Sequence, residues 1–555
     1  MNCRPFLFLL LLLSTPASWL FAEETKLEPQ DALKRLRSIE IETYSSDEVS
    51  TATATLRDLL KELDEELSAD PDGVRGVDLR LVRAQTRRRL FELDELRLHE
   101  IVPVRHLNLG ATSSLLLRPC AMADAAIRRA TEELEAFPEK LDVARRTLTE
   151  PARTWTENAI EQTRYISQML ENELEDVCVD DPSLQAELRS RAAAAATAVR
   201  SFRSWLQDEL LPRSNRQPTW TPEQIEVYQF EYEFLDDWGV DELLDLARRD
   251  EAETMAAMQD LAKRIHPSGD LRTVWELMKD ETPPWSEVPA MATRYVELAD
   301  HWLRGPGAHL VEIPDRFDYG VAITAPMGRR TLSFGGASYG PTLAGRISGY
   351  YVLTPLEPWL SEEEAASRLR SYNPYWTHVI SYHEWLGHNV QRAFAHEYAE
   401  TPVQRAFNSI YLSQAWSFYL EKLLEDEGYF EDTLPHMEAL KTRMARLQMR
   451  MWRVQRILTK LEMAQDTMTF EEAVQAYIDK IGMEPTNAHI EVQRDSQSPS
   501  PPAREILGEH LILEMRAEYE RRLGEHATAR GFHEALLRYG NLPLPIVRRL
   551  MFSDF

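Results

Sequence analysis

Apolar residues recur at three- and four-residue intervals along most of the chain, which is the spacing of one face of an α-helix. In the stretch VSTATATLRDLLKELDEELS, five leucines between Leu56 and Leu67 form such a stripe. Helical patterns of this kind dominate residues 23–304 and resume after Ser361. The pattern predicts a mainly α-helical protein, in which residues 23–304 form a helical scaffold or lid lobe.

Residues 305–355 have a different pattern. Nine of the 21 glycines lie between Gly305 and Gly349, among short β-branched and aromatic runs such as RTLSFGGASYGP and GRISGYYVLTP. Runs of this type, interrupted by Gly and Pro, are typical of strands and tight turns. We expect a small antiparallel sheet here, beside a motif helix at about 373–398 and a second helix at about 404–426. The polar stretch QRDSQSPSPPA is expected to form a surface connection.

The charge balance excludes two classes of partner. The chain has 63 basic and 91 acidic side chains, which is a formal net charge of −28. Nucleic acids and anionic membranes bind clustered Lys and Arg, so neither is expected as a partner. Arg4 and the apolar run from Pro5 to Leu13 are typical of a signal peptide, predicted here over residues 1–22. We therefore expect a secreted or periplasmic protein without a membrane anchor.

Two cysteines, Cys120 and Cys178, follow the predicted signal peptide. In an oxidising compartment they could form one disulfide, and the alternative is a pair of buried, unpaired thiols. Neither has a histidine nearby in the sequence, and the chain contains no G-x-S-x-G motif. A hydrolase with a Cys or Ser nucleophile is therefore not favoured.

The candidate chemistry lies in the segment THVISYHEWLGHNVQRAFAH, which holds four of the 14 histidines. His383 and Glu384 are followed by His388, one residue later than in H-E-x-x-H, where two histidines bind zinc and the Glu acts as general base. In an α-helix this spacing places the two imidazoles about 140° apart. A π-turn would bring them together, and Gly387 would tolerate that distortion. Histidines on separate helix faces, each bonded separately, are the alternative.

A third zinc ligand would come from the following helix, in the segment AFNSIYLSQAWSFYLEKLLEDEG. Its inward position nearest a metal is Gln414, 26 residues after His388. A glutamine supplies only a neutral carbonyl oxygen, which is a poorer zinc ligand than a carboxylate. Glu421 lies two helical turns further on and is expected to be a solvated helix residue.

These motifs resemble those of the bacterial family called domain of unknown function 885, whose members resemble zinc peptidases of the thimet-oligopeptidase type. The family pattern H-E-x-x-P-G-H-H-x-Q corresponds to HEWLGHNVQ, and E-G-W-A-x-Y-x-E corresponds to SQAWSFYLE. The resemblance continues through IEVQRDSQSPSPPAREILG and FHEALLRYGNLPLPIV and covers nearly the whole chain after the predicted signal peptide. It implies a large helical zincin-like peptidase fold, with residues 305–555 as the zincin-like lobe.

The resemblance also implies a cofactor, a substrate and roles for individual residues. The cofactor would be Zn²⁺, and the substrate or ligand would be a peptide. The metal ligands would be His383, His388 and Gln414. Glu384 would act as general base on metal-activated water. The positions that would bind substrate or support the ligands are Gln391, Asn389 and Arg494.

The chain departs from the family pattern at several of these positions. The proline is deleted, Asn389 replaces the second histidine of a pair, and Gln414 stands where an acidic ligand is expected. The tyrosine expected after Arg494, which could bond a tetrahedral oxyanion, is Asp495, and a later tyrosine is Glu505. Two functions are therefore weighed: a secreted zinc metallopeptidase that hydrolyses peptide bonds, and a catalytically inactive relative that binds a peptide or protein partner in the same groove.

Overall fold

The structure is a computed structural model that describes residues 26–552, except 71, 117–119, 121–122, 315–316, 330–331 and 342–346. The signal peptide predicted over residues 1–22 lies outside the described residues. Among the described helices, none is both long enough and apolar enough to cross a membrane.

Helices form most of the described chain, as the hydrophobic pattern predicts. The α-helices before the sheet are Pro29–Ser38, Ser46–Ala69, Gly73–Leu90, Leu98–Ile101, Gly110–Leu115, Asp124–Thr147, Arg153–Glu171, Pro182–Trp205, Pro222–Val227, Val240–Ile265, Leu271–Lys279 and Val288–Arg304. Those within and after the sheet are Pro326–Arg329, Glu362–Leu369, Pro374–Tyr382, Val390–Tyr398, Pro402–Ala406, Ile410–Asp426, Tyr429–Thr433, His436–Ala464, Phe470–Ile481, Pro485–Ser496, Ile506–Leu523, Ala529–Leu537 and Leu544–Phe552. The π-helical turns are Phe91–Glu95, Leu206–Leu210, Tyr228–Tyr232 and His383–Asn389.

The small sheet lies where the glycine-rich pattern predicts it, but it is mixed and not antiparallel. Its strands are β1 (Phe317–Ile323), β2 (Gly335–Pro341) and β3 (Ile347–Leu353), in the order β1-β3-β2. β2 pairs with β3 in antiparallel fashion, because only a short connection joins them. β1 pairs with β3 in parallel, since the longer connection through Pro326–Arg329 lets the chain reverse direction before β2. β2 is therefore an edge strand.

The motif helix runs from Pro374 to Tyr398, with the π-helical turn in its middle. The Asn373 side chain caps its start by accepting a hydrogen bond from the amide of Trp376 at 3.0 Å. The second helix, predicted over about 404–426, is observed as two helices, Pro402–Ala406 and Ile410–Asp426. The longer one begins after Ser409, whose hydroxyl accepts from the Tyr411 amide at 3.2 Å. We keep the name second helix for Ile410–Asp426.

Buried apolar side chains form two clusters. The larger cluster joins the first helices, residues 29–102, to nearly all elements after residue 220. The smaller cluster lies within residues 107–210. The helix His436–Ala464, called the central helix below, is buried along most of its 29 residues and packs against the motif helix. The candidate site is therefore held by elements of the larger core.

Cys120 and Cys178 form a disulfide with a Cα–Cα distance of 4.6 Å. The alternative of two buried, unpaired thiols is wrong, because both residues are exposed and paired. The bond connects the loop before Asp124–Thr147 with the loop before Pro182–Trp205. It therefore closes a long loop around the smaller core and lowers the conformational entropy of the unfolded chain.

The polar stretch at residues 493–503, expected as a surface connection, is largely buried. Its first residues belong to the helix Pro485–Ser496, and Pro501, Pro502 and Ala503 are buried. Lys460 of the central helix donates a hydrogen bond to the Ser498 carbonyl at 2.7 Å and another to the Ser500 carbonyl. The buried ammonium group thus bonds backbone oxygens that water would otherwise solvate, which allows a polar loop to lie inside the protein.

His378, in the first part of the motif helix, packs among aromatic side chains of the core. Its ring stacks on Tyr295 with centroids 4.2 Å apart, and its Nε2 lies 2.8 Å from the Tyr429 hydroxyl. Burial lowers the pKa of His378 to about 3. The ring is therefore neutral in the folded protein and takes up a proton more readily in the unfolded chain.

This pKa predicts an acid-sensitive contribution to stability. Because the folded pKa lies below the unfolded value near 6.5, the contribution is complete above pH 6.5 and is lost as the pH falls towards 3. Protonation of His378 in the unfolded chain should lower the free energy of unfolding by about 2 kcal/mol between pH 7 and pH 5. Urea denaturation at both pH values should show a correspondingly smaller decrease for His378→Gln. Equal decreases for both proteins would contradict the assignment.

Candidate metal centre

The motif helix contains a π-helical turn over His383–Asn389, at the position where the sequence has one residue more than H-E-x-x-H. The wider turn brings the two imidazoles to the same side of the helix, with ring centroids 5.0 Å apart. One side-chain atom each of His383, Glu384 and His388 lies within 4.8 Å of the other two. The alternative, with the two histidines on separate helix faces, is therefore wrong.

Gly387 is required by packing and not by its own backbone conformation. Its φ is not among the positive values of the described glycines. A Cβ at this position would lie 2.3 Å from Oγ and 2.7 Å from Cα of Ser417 on the second helix. The absence of a side chain thus lets the π-turn and the second helix approach closely, which sets the distance between the histidines and the groups that orient them.

Gly387→Ala is expected to destabilise the protein by about 1–3 kcal/mol, because the added methyl group meets backbone atoms that cannot move aside. Urea denaturation measures this change. Gly110→Ala is the matched control, since a Cβ there would lie at an ordinary 3.4 Å from the Asn108 side chain. Equal stability of the two variants would show that the close contact has no energetic role.

The second helix holds both imidazoles through their Nδ1 atoms. Nδ1 of His383 lies 2.7 Å from Oε1 of Glu421, and Nδ1 of His388 lies 3.0 Å from Oγ of Ser413. In each imidazole, Nε2 is then the ring nitrogen that remains to bind an ion. Histidine ligands of metals are commonly fixed in this way, with one nitrogen bonded to a carboxylate or hydroxyl and the other bound to the ion.

Burial sets the protonation of this group. It lowers the pKa of His383 and of His388 well below the usual range, so both imidazoles are neutral at pH 7 and each has a free lone pair. Burial also raises the pKa of Glu384 to about 7. The carboxyl group of Glu384 can therefore both accept and release a proton near neutral pH.

A cavity of about 310 Å³ opens beside the π-turn. It is lined by His383, Glu384 and His388, by Gln414 of the second helix, and by Gly335–Ala337 of the edge strand β2. Gly335 has φ +137°, and a Cβ there would lie 2.1 Å from the Val352 carbonyl oxygen. Glycine at this position thus lets β2 pair closely with β3, and the strand forms part of the cavity wall. A volume of this size is at the small end of ligand-binding pockets.

A family model described as "Bacterial protein of unknown function (DUF885)" matches residues 34–551 of the chain. The chain belongs to this family. None of the functionally curated proteins matches this member of the DUF885 family.

Two solved structures resemble this DUF885 chain over nearly its whole length. One is described as "a putative lipoprotein of unknown function" from Shewanella oneidensis; it has a TM-score of 0.70 and 17% identity, over 94% of this chain and 98% of that one. The other, "the putative lipoprotein from Colwellia psychrerythraea", has a TM-score of 0.70 and 15% identity, over 95% of this chain and 97% of that one. At these identities the likeness shows a shared fold.

The residues singled out from the family motifs occupy two different places. Gln414 and Arg494 line the cavity together with the histidine group. Gln391 does not line it: its Nε2 donates to the Gly540 carbonyl at 3.0 Å and to Asn541 at 2.8 Å. Asn389 is fully buried, and its amide forms no hydrogen bond with the described residues. The roles suggested for these residues stay predictions.

Asp495 and Glu505, the two acidic residues at positions compared above with tyrosines of the family pattern, belong to a buried ion-pair network around Arg456 of the central helix. Its guanidinium lies 2.7 Å from Glu505, 3.1 Å from Glu491 and 3.7 Å from Asp495. Neither Asp495 nor Glu505 lines the cavity. In this DUF885 chain, the replaced positions therefore contribute to the support of the cavity wall.

Four residues with evident roles were not predicted. Glu421 was expected to be solvated, yet it is 1% exposed and bonds His383. Its position among apolar residues in AWSFYLEKLL is a sequence signal for burial. Ser413, which bonds His388, has no such signal. The other two, Arg392 and Arg453, line the cavity and are treated below.

Proposed function

We propose that this chain is an exported, zincin-like metallohydrolase that cleaves peptide bonds. The observation that carries the proposal is the π-turn, because it places His383, Glu384 and His388 within 4.8 Å of one another at a cavity. The same three residue types form the H-E-x-x-H centre of metallopeptidases. The present motif is one residue longer than H-E-x-x-H, and a π-turn holds one residue more than an α-helical turn, so the added residue is accommodated.

The donor set fits a divalent transition-metal ion such as zinc. Two neutral imidazoles, each with its Nδ1 already bonded, are the ligands that zinc prefers. Gln414, on the same cavity, would supply a neutral amide oxygen as a further ligand. A bound ion would polarise the scissile carbonyl and lower the pKa of water at the site.

The chain's own residues would perform the proton transfers. Glu384 lines the cavity with a pKa of about 7, so it can take a proton from water and later pass it to the leaving amine. β2 is the last strand on its side of the described sheet, and its residues Gly335–Ala337 line the same cavity. An extended peptide could add to this edge as a further strand and so present its backbone to Glu384.

Three observations support export. The segment from Arg4 to Leu13 has the pattern of a signal peptide. The disulfide between Cys120 and Cys178 is of a kind that persists in oxidising compartments. Both structural relatives are described as lipoproteins, a class of exported proteins. We infer that the chain acts outside the cytoplasm, in the periplasm or beyond.

A second function is favoured by one observation, the neutral side chain of Gln414 on the cavity wall. Most catalytic zinc sites have three protein ligands of the His, Cys or carboxylate types. Here only the two histidines are of these types, unless Glu384, the proposed general base, served as a ligand itself. A chain with reduced metal affinity could keep the groove and bind a peptide or protein partner without cleaving it.

Cleavage of a mixed peptide library, followed by mass spectrometry, separates the two functions. The metallohydrolase should cleave short peptides, lose this activity in the presence of a chelator and regain it when zinc is added back. A chain that has been incubated with zinc, is folded and still cleaves nothing would contradict the hydrolase and support the binding protein. Cleavage that a chelator does not affect would contradict both.

A further inference from the structure

The cavity beside the π-turn is rich in arginine although the chain as a whole is strongly acidic. Five arginines line it: Arg392, Arg453, Arg456, Arg494 and Arg504. Three of these face carboxylates of the supporting network. Arg456 and Arg494 pair with Glu491 at 3.1 and 2.7 Å, and Arg504 lies 3.6 Å from Glu505. Asp495 belongs to the same network, so each of these three arginines lies near at least one buried or half-buried carboxylate.

Arg453, on the central helix, has no such partner. It is 6% exposed, and its hydrogen bonds run only from Nη1 to the carbonyl oxygen and sulfur of Met449, both at 3.3 Å. Its Nε is buried without a partner among the described residues. The Cζ atom of Arg453 lies 4.6 Å from the centroid of the Trp452 ring, a cation–π contact that helps to hold the guanidinium in place. Arg453 thus presents preoriented, unused donors to the cavity.

Arg392, on the motif helix two turns after Trp385, is the second arginine without an ion pair. Its backbone carbonyl accepts a hydrogen bond from Tyr339 of β2 at 3.0 Å, which ties this position to the cavity wall. Its guanidinium forms no hydrogen bond with the described residues and lies within 4.0 Å of none of their carboxylates. Burial lowers the pKa of both Arg392 and Arg453. The charge of Glu384 opposes this effect on both arginines, and Glu421 and Glu505 oppose it on Arg453. Arg453 is buried, whereas Arg392 is half-buried.

A guanidinium that is removed from water and has no hydrogen-bonded carboxylate is stabilised when a ligand supplies one. Arg392 and Arg453 line the cavity together with Glu384, so a ligand bound there can contact both the guanidinium groups and the candidate base. A guanidinium binds a carboxylate with two parallel hydrogen bonds, which gives orientation as well as affinity.

We propose that Arg392 and Arg453 bind a carboxylate group of the substrate in this cavity, so that the substrates are short peptides with a negative charge close to the scissile bond. The inference rests on the proposed function for the identity of the cavity as the substrate site. The carboxylate is either the free carboxyl terminus of the peptide or an acidic side chain. The small cavity volume, about 310 Å³, favours a short peptide in both cases.

Calorimetric binding of uncleaved peptides to the metal-free chain tests this inference without requiring hydrolysis. The probes are N-acetyl-Ala-Ala-Ala, the same peptide with a carboxyl-terminal amide, and the amide of N-acetyl-Ala-Glu-Ala. We expect the free tripeptide acid to bind about 10- to 100-fold more tightly than its amide, which is the effect of one charge-assisted hydrogen-bonded pair. Tighter binding of only the Glu-containing amide would identify a side-chain carboxylate as the ligand.

Variants assign the effect to the two arginines. Arg392→Gln should reduce the preference for the carboxylate to less than about threefold, because one of the two guanidinium groups is removed. Arg453→Lys keeps the buried charge but loses the two-pronged geometry, and it should weaken the preference in the same direction. Arg370→Gln is the control, since Arg370 lies outside the cavity and pairs with Glu276 and Asp280.

Equal binding of all three probes by the natural chain would overturn the inference, since neither a terminal nor a side-chain carboxylate would then be preferred. So would a preference that both Arg392→Gln and Arg453→Lys leave intact. A carboxylate preference in a chain that cleaves nothing would support the inference while contradicting the hydrolase, and peptide cleavage without any carboxylate preference would do the reverse. The two proposals can therefore fail separately.

Discussion

Replacement of Glu384 by glutamine is expected to reduce kcat/KM for peptide cleavage by about 10²–10⁴-fold, the contribution typical of a general acid–base group. The glutamine has nearly the same shape but cannot take up or release a proton. The histidines and their contacts with Glu421 and Ser413 do not involve this carboxyl group, so the zinc content and the binding of uncleaved peptides should be preserved. Steady-state kinetics on one peptide from the cleaved library measures the effect.

Glu397→Gln is the matched control for this experiment. Glu397 lies on the same motif helix, but it is exposed and does not line the cavity beside the π-turn. Its replacement should leave kcat/KM unchanged. A Glu384→Gln protein that cleaves peptides at the natural rate would show that another group accepts the proton, and the proposed mechanism would then be wrong.

Arg456→Met is expected to destabilise the protein by about 3–5 kcal/mol, the largest stability effect predicted here. Arg456 is 7% exposed and bonds Glu505 and Glu491, which are themselves fully buried. Without the guanidinium, these carboxylates are buried without their counter-charge and must either take up protons or bring water inside. The midpoint of urea denaturation should fall accordingly.

The control for Arg456→Met is Arg370→Met, which removes an arginine from an ion-pair group near the surface. Arg370 is 32% exposed and pairs with Glu276 and Asp280. Such pairs contribute about 0–1 kcal/mol, so the control should remain close to the natural stability. If the two variants lost the same free energy, the network around Arg456 would have no special role in holding the cavity wall.

The helical content of the protein and the position of the sheet could be predicted from the sequence, because apolar periodicity and glycine content are local signals. The pairing of β1 with β3 could not be predicted in this way. The glycine-rich runs are separated by turns, and each turn taken alone suggests an antiparallel neighbour. Only the longer connection through Pro326–Arg329 makes the parallel pairing feasible, and its path depends on packing against distant helices.

The sequence predicts the geometry of the histidine group only on the assumption that a π-turn forms. From the spacing of His383 and His388, the two rings lie on the same face only if the helix contains a π-turn. Whether the turn forms depends on tertiary packing, which the sequence does not show directly. The need for Gly387 has the same origin, since the clash of a Cβ would be with Ser417 of another helix. Backbone freedom, the reason first considered for this glycine, is not the decisive one.

The charged groups around the cavity carry a sequence signal that the motifs alone do not show. Arg446, Arg453, Arg456 and Lys460 follow one another on the central helix at intervals of seven, three and four residues, which places them on one helical face. All four are buried. A cationic stripe inside a long helix, in an acidic protein, indicates buried partners or a ligand, although the pattern does not tell which arginine is paired and which is free.

The central claim is that the π-turn makes His383 and His388 a metal-binding pair, and the metal content of the purified, zinc-incubated and dialysed chain tests it most directly. Inductively coupled plasma mass spectrometry should find about one zinc ion per natural chain and very little in His388→Ala, because a single imidazole from this pair cannot hold the ion tightly. A folded natural chain that retains no more zinc than His388→Ala would contradict the claim.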